Sequence, residues 1–125
     1  MDLSLIAHEH RPLTKVLMHR PGAELEALTE GTLAYFNFSA VPDRDRYLDE
    51  YDAFVDAIRR LGTEPVFLED VLTGDIEALA YMRRRANMVF TRDLAVTFPT
   101  GGMLAGMAID GRKGDAEIIG RACGA

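Results

Sequence analysis

The stretch "NMVFTRD", Asn87 to Asp93, sets an apolar run directly before an arginine and an aspartate. Charged side chains are almost never fully buried without a partner, so Arg92 and Asp93 either stand at the mouth of a cleft or neutralise each other. A carboxylate at the C-terminal end of a strand can accept two parallel N–H bonds from a planar guanidinium, which would make Asp93 a binding group. A local pair between Asp93 and Arg92 or Arg112 explains the same residue without any ligand. The pattern alone leaves both readings open.

Other reactive side chains carry weaker signals. His8 and His10 are two positions apart and would share one face of an extended strand, but a metal centre needs further ligands. No other His or Cys stands nearby at a useful spacing, so a solvated N-terminal loop is expected and no metal. Cys123, in "GRACGA", falls on what reads as a last helical turn. A nucleophilic thiolate needs a base and a polarising environment, so a small packing role is expected there instead. The basic run Arg83, Arg84 and Arg85 ends a predicted helix, where cations favour the negative end of the macrodipole.

The elements that would position these groups can be read from periodicity. "TKVLMH", from Thr14 to His19, reads as a short strand closed by "RPG". The following stretch to Pro42 has helical pieces broken by Gly31 and Pro42. From Asp43 to Leu61, the residues Leu48, Tyr51, Phe54, Val55, Ile58 and Leu61 recur at three- and four-residue steps, which predicts a helix. Asp43 offers an N-cap oxygen and Gly62 a C-terminal cap. "EPVFLED" reads as a strand, and a helix is expected from about Gly74 to Arg85. "NMVFTRD", "LAVTF" and "GMLAGMA" read as three strands, the last two joined by "PTGG", before a final helix near Gly114 or Asp115. The order β, α, β, α, β, β, β, α predicts an α/β fold.

At 125 residues the chain suits one α/β domain over residues 1–125, and 48% apolar with 27% charged residues is the composition of a globular protein. Fourteen Lys and Arg against 20 Asp and Glu give a net charge of −6, without the concentrated cationic face that nucleic acid requires. A small cationic molecule is compatible with that balance. The single cysteine suits a reducing compartment. With no basic n-region leading an apolar core, and no apolar segment of membrane-spanning length, the reading is cytoplasmic.

Together, "KVLMHRPGAELEALT", "DEYDAFVDAIRRLGTEPVFLEDVL" and "NMVFTRD" resemble the guanidino-group modifying enzymes: arginine deiminases, dimethylarginine dimethylaminohydrolases and amidinotransferases. The similarity runs in order from about Leu13 to Gly114. It implies a pentein-like fold, a five-bladed α/β propeller of ββαβ-type modules, of which this chain would supply an incomplete one to two. It also implies a small-molecule guanidino substrate, arginine or a methylarginine, and no cofactor. By resemblance, Asp93 would bind the substrate guanidinium through both carboxylate oxygens, Phe90 would pack against it, and Asn87 would help hold the α-amino end. Arg112 would pair with the α-carboxylate.

Departures accompany the match. Only a short helix separates "LEDVL" from Asn87, where deiminases carry a long helical insertion, yet "FTRD" in place of "FVED" leans toward the deiminase branch. "AIDGRKGD" lacks the proline expected before the arginine pair, and Lys113 replaces the second arginine. The family's catalytic histidine, "EGGD" element and nucleophilic cysteine match none of His8, His10, His19 or Cys123. The resemblance therefore implies the N-terminal portion of a guanidino-directed hydrolase that contributes binding residues and no catalytic ones. An amidinotransferase, or a non-catalytic domain that binds a guanidino compound or self-assembles through unpaired strand edges, are the alternatives.

Overall fold

The computed structural model describes residues 10–124, so His8 of the proposed histidine pair lies outside the described residues. The first strand, β1, is Lys15–Met18. A short helix α1, Leu33–Phe36, and the long helix α2, Arg44–Arg60, then carry the chain over to β2, Glu64–Phe67. Strands β1 and β2 pair in parallel, with Val16 opposite Pro65 and Leu17 opposite Val66. A parallel pair needs a crossover of a dozen or more residues, and α2 provides it.

Both ends of α2 follow the chemistry read from the sequence. The Asp43 carboxylate accepts the Arg46 amide at 2.9 Å, a cap worth about 1 kcal/mol. Gly62 takes the left-handed φ of +82° and donates its amide to the Arg59 carbonyl, a conformation costly for any residue with a Cβ. Tyr51 and Val55 pack with Met18 and Phe67 on the parallel pair. Phe54 and Leu61 do not join them and stay 55% and 83% exposed. Two strands are too narrow to cover the whole stripe.

The structure corrects three strand assignments. "EPVFLED" is extended only to Phe67, after which Leu68–Val71 turns into α3 and buries Leu68 completely. "NMVFTRD" is not a strand: Ala86–Val89 and Thr91–Leu94 are successive 3-10 turns. Their amides find partners locally, Met88 on the Arg85 carbonyl and Phe90 on the Asn87 carbonyl, and the Thr91 hydroxyl donates to the Leu17 carbonyl of β1. Ala86, Asn87 and Met88 are therefore buried in succession, which an alternating strand could not do. "GMLAGMA" is extended only over Gly101–Leu104, β4, which pairs antiparallel with β3, Ala95–Phe98.

Helix α4, Ile76–Met82, is shorter than expected; Asp75 caps it by accepting the Ala78 amide at 3.0 Å. The last helix, α5, is Asp115–Cys123, and its Ile118, Ile119 and Ala122 meet Leu68, Leu72, Met82, Met88 and Leu94 in the largest apolar cluster. Among the described residues the result is a mixed α/β structure with two separate two-stranded sheets. No helix among the described residues is long and apolar enough to cross a membrane.

Two local constraints fix the segments around this core. Gly111, in the 3-10 turn Asp110–Arg112, lies so close to α1 that an added Cβ would stand 2.6 Å from the Tyr35 carbonyl oxygen and 2.7 Å from Phe36 Cδ1. The first of these is backbone and cannot swing away. Separately, buried His19 just past β1 meets Glu24 Oε1 through Nε2 and Glu69 Oε1 through Nδ1, both at 2.7 Å. Burial pulls the imidazolium pKa down, but the hydrogen bonds and charges of the two glutamates outweigh it and raise it to about 9. For Glu69, burial acts upward and His19 outweighs it, so its carboxyl is held below the usual range.

Gly111→Ala is expected to lower unfolding stability by roughly 1–3 kcal/mol in urea titrations, and an unchanged midpoint would contradict the close approach. Because the folded His19 pKa lies above the unfolded value of 6.5, its stabilisation is full below pH 6.5 and is lost as pH rises toward about 9. Urea midpoints should thus fall across that window in the wild type, with a flatter profile in His19→Ala. Equal slopes for the two proteins would rule this out.

Candidate functional site

The two turns found where a strand was expected put Phe90 and Asp93 against Arg112. Arg112, 8% exposed, donates from Nη1 to Asp93 Oδ2 at 3.0 Å and from Nη2 to the Phe90 carbonyl at 3.1 Å. Its Cζ stands 5.8 Å from the centre of the Phe90 ring, within cation–π reach. The Asp93 side chain is 45% exposed, so one edge of this pair faces solvent. Arg92, whose side chain is 96% exposed, approaches Asp93 Oδ1 only to 3.9 Å and adds little in water. Of the partners weighed for Asp93, Arg112 is the one that holds it.

Asn87 is anchored on α1. It is buried, its Nδ2 donates to the Phe36 carbonyl of α1 at 3.0 Å, and its Oδ1 has no hydrogen-bond partner among the described residues. Phe90 is 45% exposed, and its ring lies 6.5 Å from that of Phe38 at a tilt of 45°. One face thus presents a half-exposed carboxylate, an aromatic ring and the edge of a buried guanidinium. A planar cation with N–H donors could lie on the ring and donate to Asp93.

Sequence reasoning missed the groups behind Arg112. Asp115, fully buried at the start of α5, places Oδ2 3.8 Å from Arg112 Nε. Burial raises its carboxyl pKa, while the Tyr81 hydroxyl and the Arg112 charge act in the opposite direction. The Tyr81 hydroxyl lies 3.0 Å from Asp115 Oδ1 and 2.9 Å from the Lys113 carbonyl. Burial and the neighbouring Asp115 raise the Tyr81 pKa, keeping it a neutral donor. The i,i+3 spacing of Arg112 and Asp115 was a readable signal, but nothing local points from Tyr81 to Asp115 across 34 residues.

The remaining candidates fall elsewhere. Arg85 stacks over the Tyr81 ring at 4.6 Å and donates to the Tyr35 hydroxyl at 3.0 Å, so its partners are rings rather than helix-end carbonyls. Cys123 is exposed rather than packed, and desolvation raises its thiol pKa, which lowers the thiolate fraction. Among the described residues no three His, Cys, Asp or Glu side chains are grouped to hold a metal. A groove of about 330 Å³ opens beside His19, Glu24, Glu69 and Arg83, away from Asp93.

No family model matches the chain. Among curated proteins, it is 42% identical over 66 residues to an arginine deiminase of Rhodococcus jostii (strain RHA1), covering 53% of this chain and 16% of that one. An arginine deiminase of Treponema denticola is 36% identical over 80 residues, covering 64% of this chain and 20% of the relative. For that of Borrelia duttonii (strain Ly) the figures are 41% over 61 residues, 49% and 15%. The matched stretch is thus a fifth or less of these relatives' own length. Over about half of its residues, the chain is thus similar in sequence to arginine deiminases.

Proposed function

We propose that this chain supplies the guanidinium-binding face of a hydrolase that acts on the guanidino group of arginine. The single observation that carries the proposal is the contact already made by Asp93: a half-exposed carboxylate accepts a guanidinium N–H at 3.0 Å beside an aromatic ring. A substrate guanidinium would take the same carboxylate through two parallel bonds, with Phe90 against its plane and Arg112 and Asn87 toward the amino-acid end. Holding both ends of the substrate fixes the carbon to be attacked, which is how positioning lowers a barrier. Catalytic nucleophile and acid would come from outside the residues matched here.

Arginine is favoured over a methylarginine, and water over an amine as acceptor, because the relatives are named arginine deiminases. The parallel β1–β2 pair with its helical crossover is compatible with part of a pentein module. Calorimetric titration of the purified chain with arginine tests the reading. Binding is expected to weaken at least tenfold in Asp93→Ala, the loss of one or two charge-assisted hydrogen bonds. Equal affinity of the two proteins, or no binding by folded wild type, would overturn it for this chain.

A further inference from the structure

Two buried polar atoms face each other without a hydrogen bond among the described residues: Arg112 Nε and Asp115 Oδ2, 3.8 Å apart. An unmet polar atom of a buried ion is costly, so an arrangement that leaves two of them facing calls for a reason. Here the reason is visible in the other contacts of Arg112. Nη1 is drawn to Asp93 and Nη2 to the Phe90 carbonyl, which holds Nε just short of Asp115. Asp115 in turn keeps its second oxygen on the Tyr81 hydroxyl. A shift of about 1 Å would bring Nε and Oδ2 to an ordinary charge-assisted distance and stretch the bond to Asp93.

We propose that Arg112 has two carboxylate partners in alternation, Asp93 in the free chain and Asp115 when Asp93 is taken by a guanidinium ligand. Asp115 is then a positioning residue, held ready by Tyr81, that receives Arg112 Nε and leaves the two Nη groups for the amino-acid end of the ligand. The ligand half of this statement rests on the reading of Asp93 as a guanidinium acceptor; the exchange between carboxylates rests on the geometry alone. Parallel bonding by a ligand uses both Asp93 oxygens, so Arg112 and the ligand would share Oδ2, and exchange relieves that sharing. Asp115 already stands 3.8 Å from Arg112 Nε, so the shift would tighten an existing ion pair.

The arginine Nε–H resonances of the labelled chain read the exchange directly. In ligand-free Asp93→Ala, which removes only a half-exposed side chain, the Arg112 Nε–H should move downfield. Its exchange with water should slow about tenfold, and the Asp115 carboxyl carbon should shift with it. Adding Asp115→Asn should abolish the movement. If that double variant does not fold, the joint response of Asp115 and Arg112 in Asp93→Ala decides. Arginine added to wild type should reproduce the Asp93→Ala spectrum. An Nε–H that stays put in Asp93→Ala, or that stays put while arginine binds calorimetrically, overturns the proposal. A movement in Asp93→Ala without any arginine binding supports the exchange and counts against the ligand reading alone.

Discussion

Burying a guanidinium is the constraint around which this part of the chain is arranged. Arg112 cannot lose its proton, so each of its N–H groups needs an acceptor or carries a desolvation penalty. Two acceptors come from far along the chain, Asp93 and the Phe90 carbonyl of the paired turns, 19 and 22 residues away, while Asp115, three residues on, faces Nε at 3.8 Å without a hydrogen bond. Arg112 is brought to them because Gly111 lies against α1 where a side chain would collide with the Tyr35 carbonyl.

The turns at residues 86–94 matter as much for chemistry as for packing. On an extended strand, Phe90 and Asp93 would point to opposite faces. Coiled into 3-10 turns, the same residues aim a carbonyl and a carboxylate at one guanidinium while Met88 and Leu94 bury completely in the core. The proposed binding residues are thereby joined to a segment whose Met88 and Leu94 belong to the apolar cluster around α5.

Much of the scaffold was legible because its signals are local. Helix α2 announces itself by apolar steps and by caps at Asp43 and Gly62, each decided within a few residues. "NMVF" misled because a short apolar run looks the same whether it pairs with a strand or folds into turns, and only the distant Thr91–Leu17 and Asn87–Phe36 contacts choose between them. By resemblance, Asn87, Phe90 and Asp93 stand in one quoted block and Arg112 follows from an ungapped match beyond it, and the pairing of Asp93 with Arg112 was an open alternative. The His19 cluster was not legible at all, since Glu69 arrives from 50 residues along the chain.

The relatives named arginine deiminases and the geometry around Asp93 converge on one picture: a carboxylate suited to a guanidinium that, in the free chain, already holds one of the protein's own. That the Asp93–Arg112 contact is energetically real is the claim everything else rests on. A double-mutant cycle tests it most directly, with unfolding free energies for wild type, Asp93→Ala, Arg112→Ala and the double variant. A coupling of about 1–3 kcal/mol is expected for a charge-assisted pair with one buried partner. Additive effects, with coupling indistinguishable from zero, would contradict it.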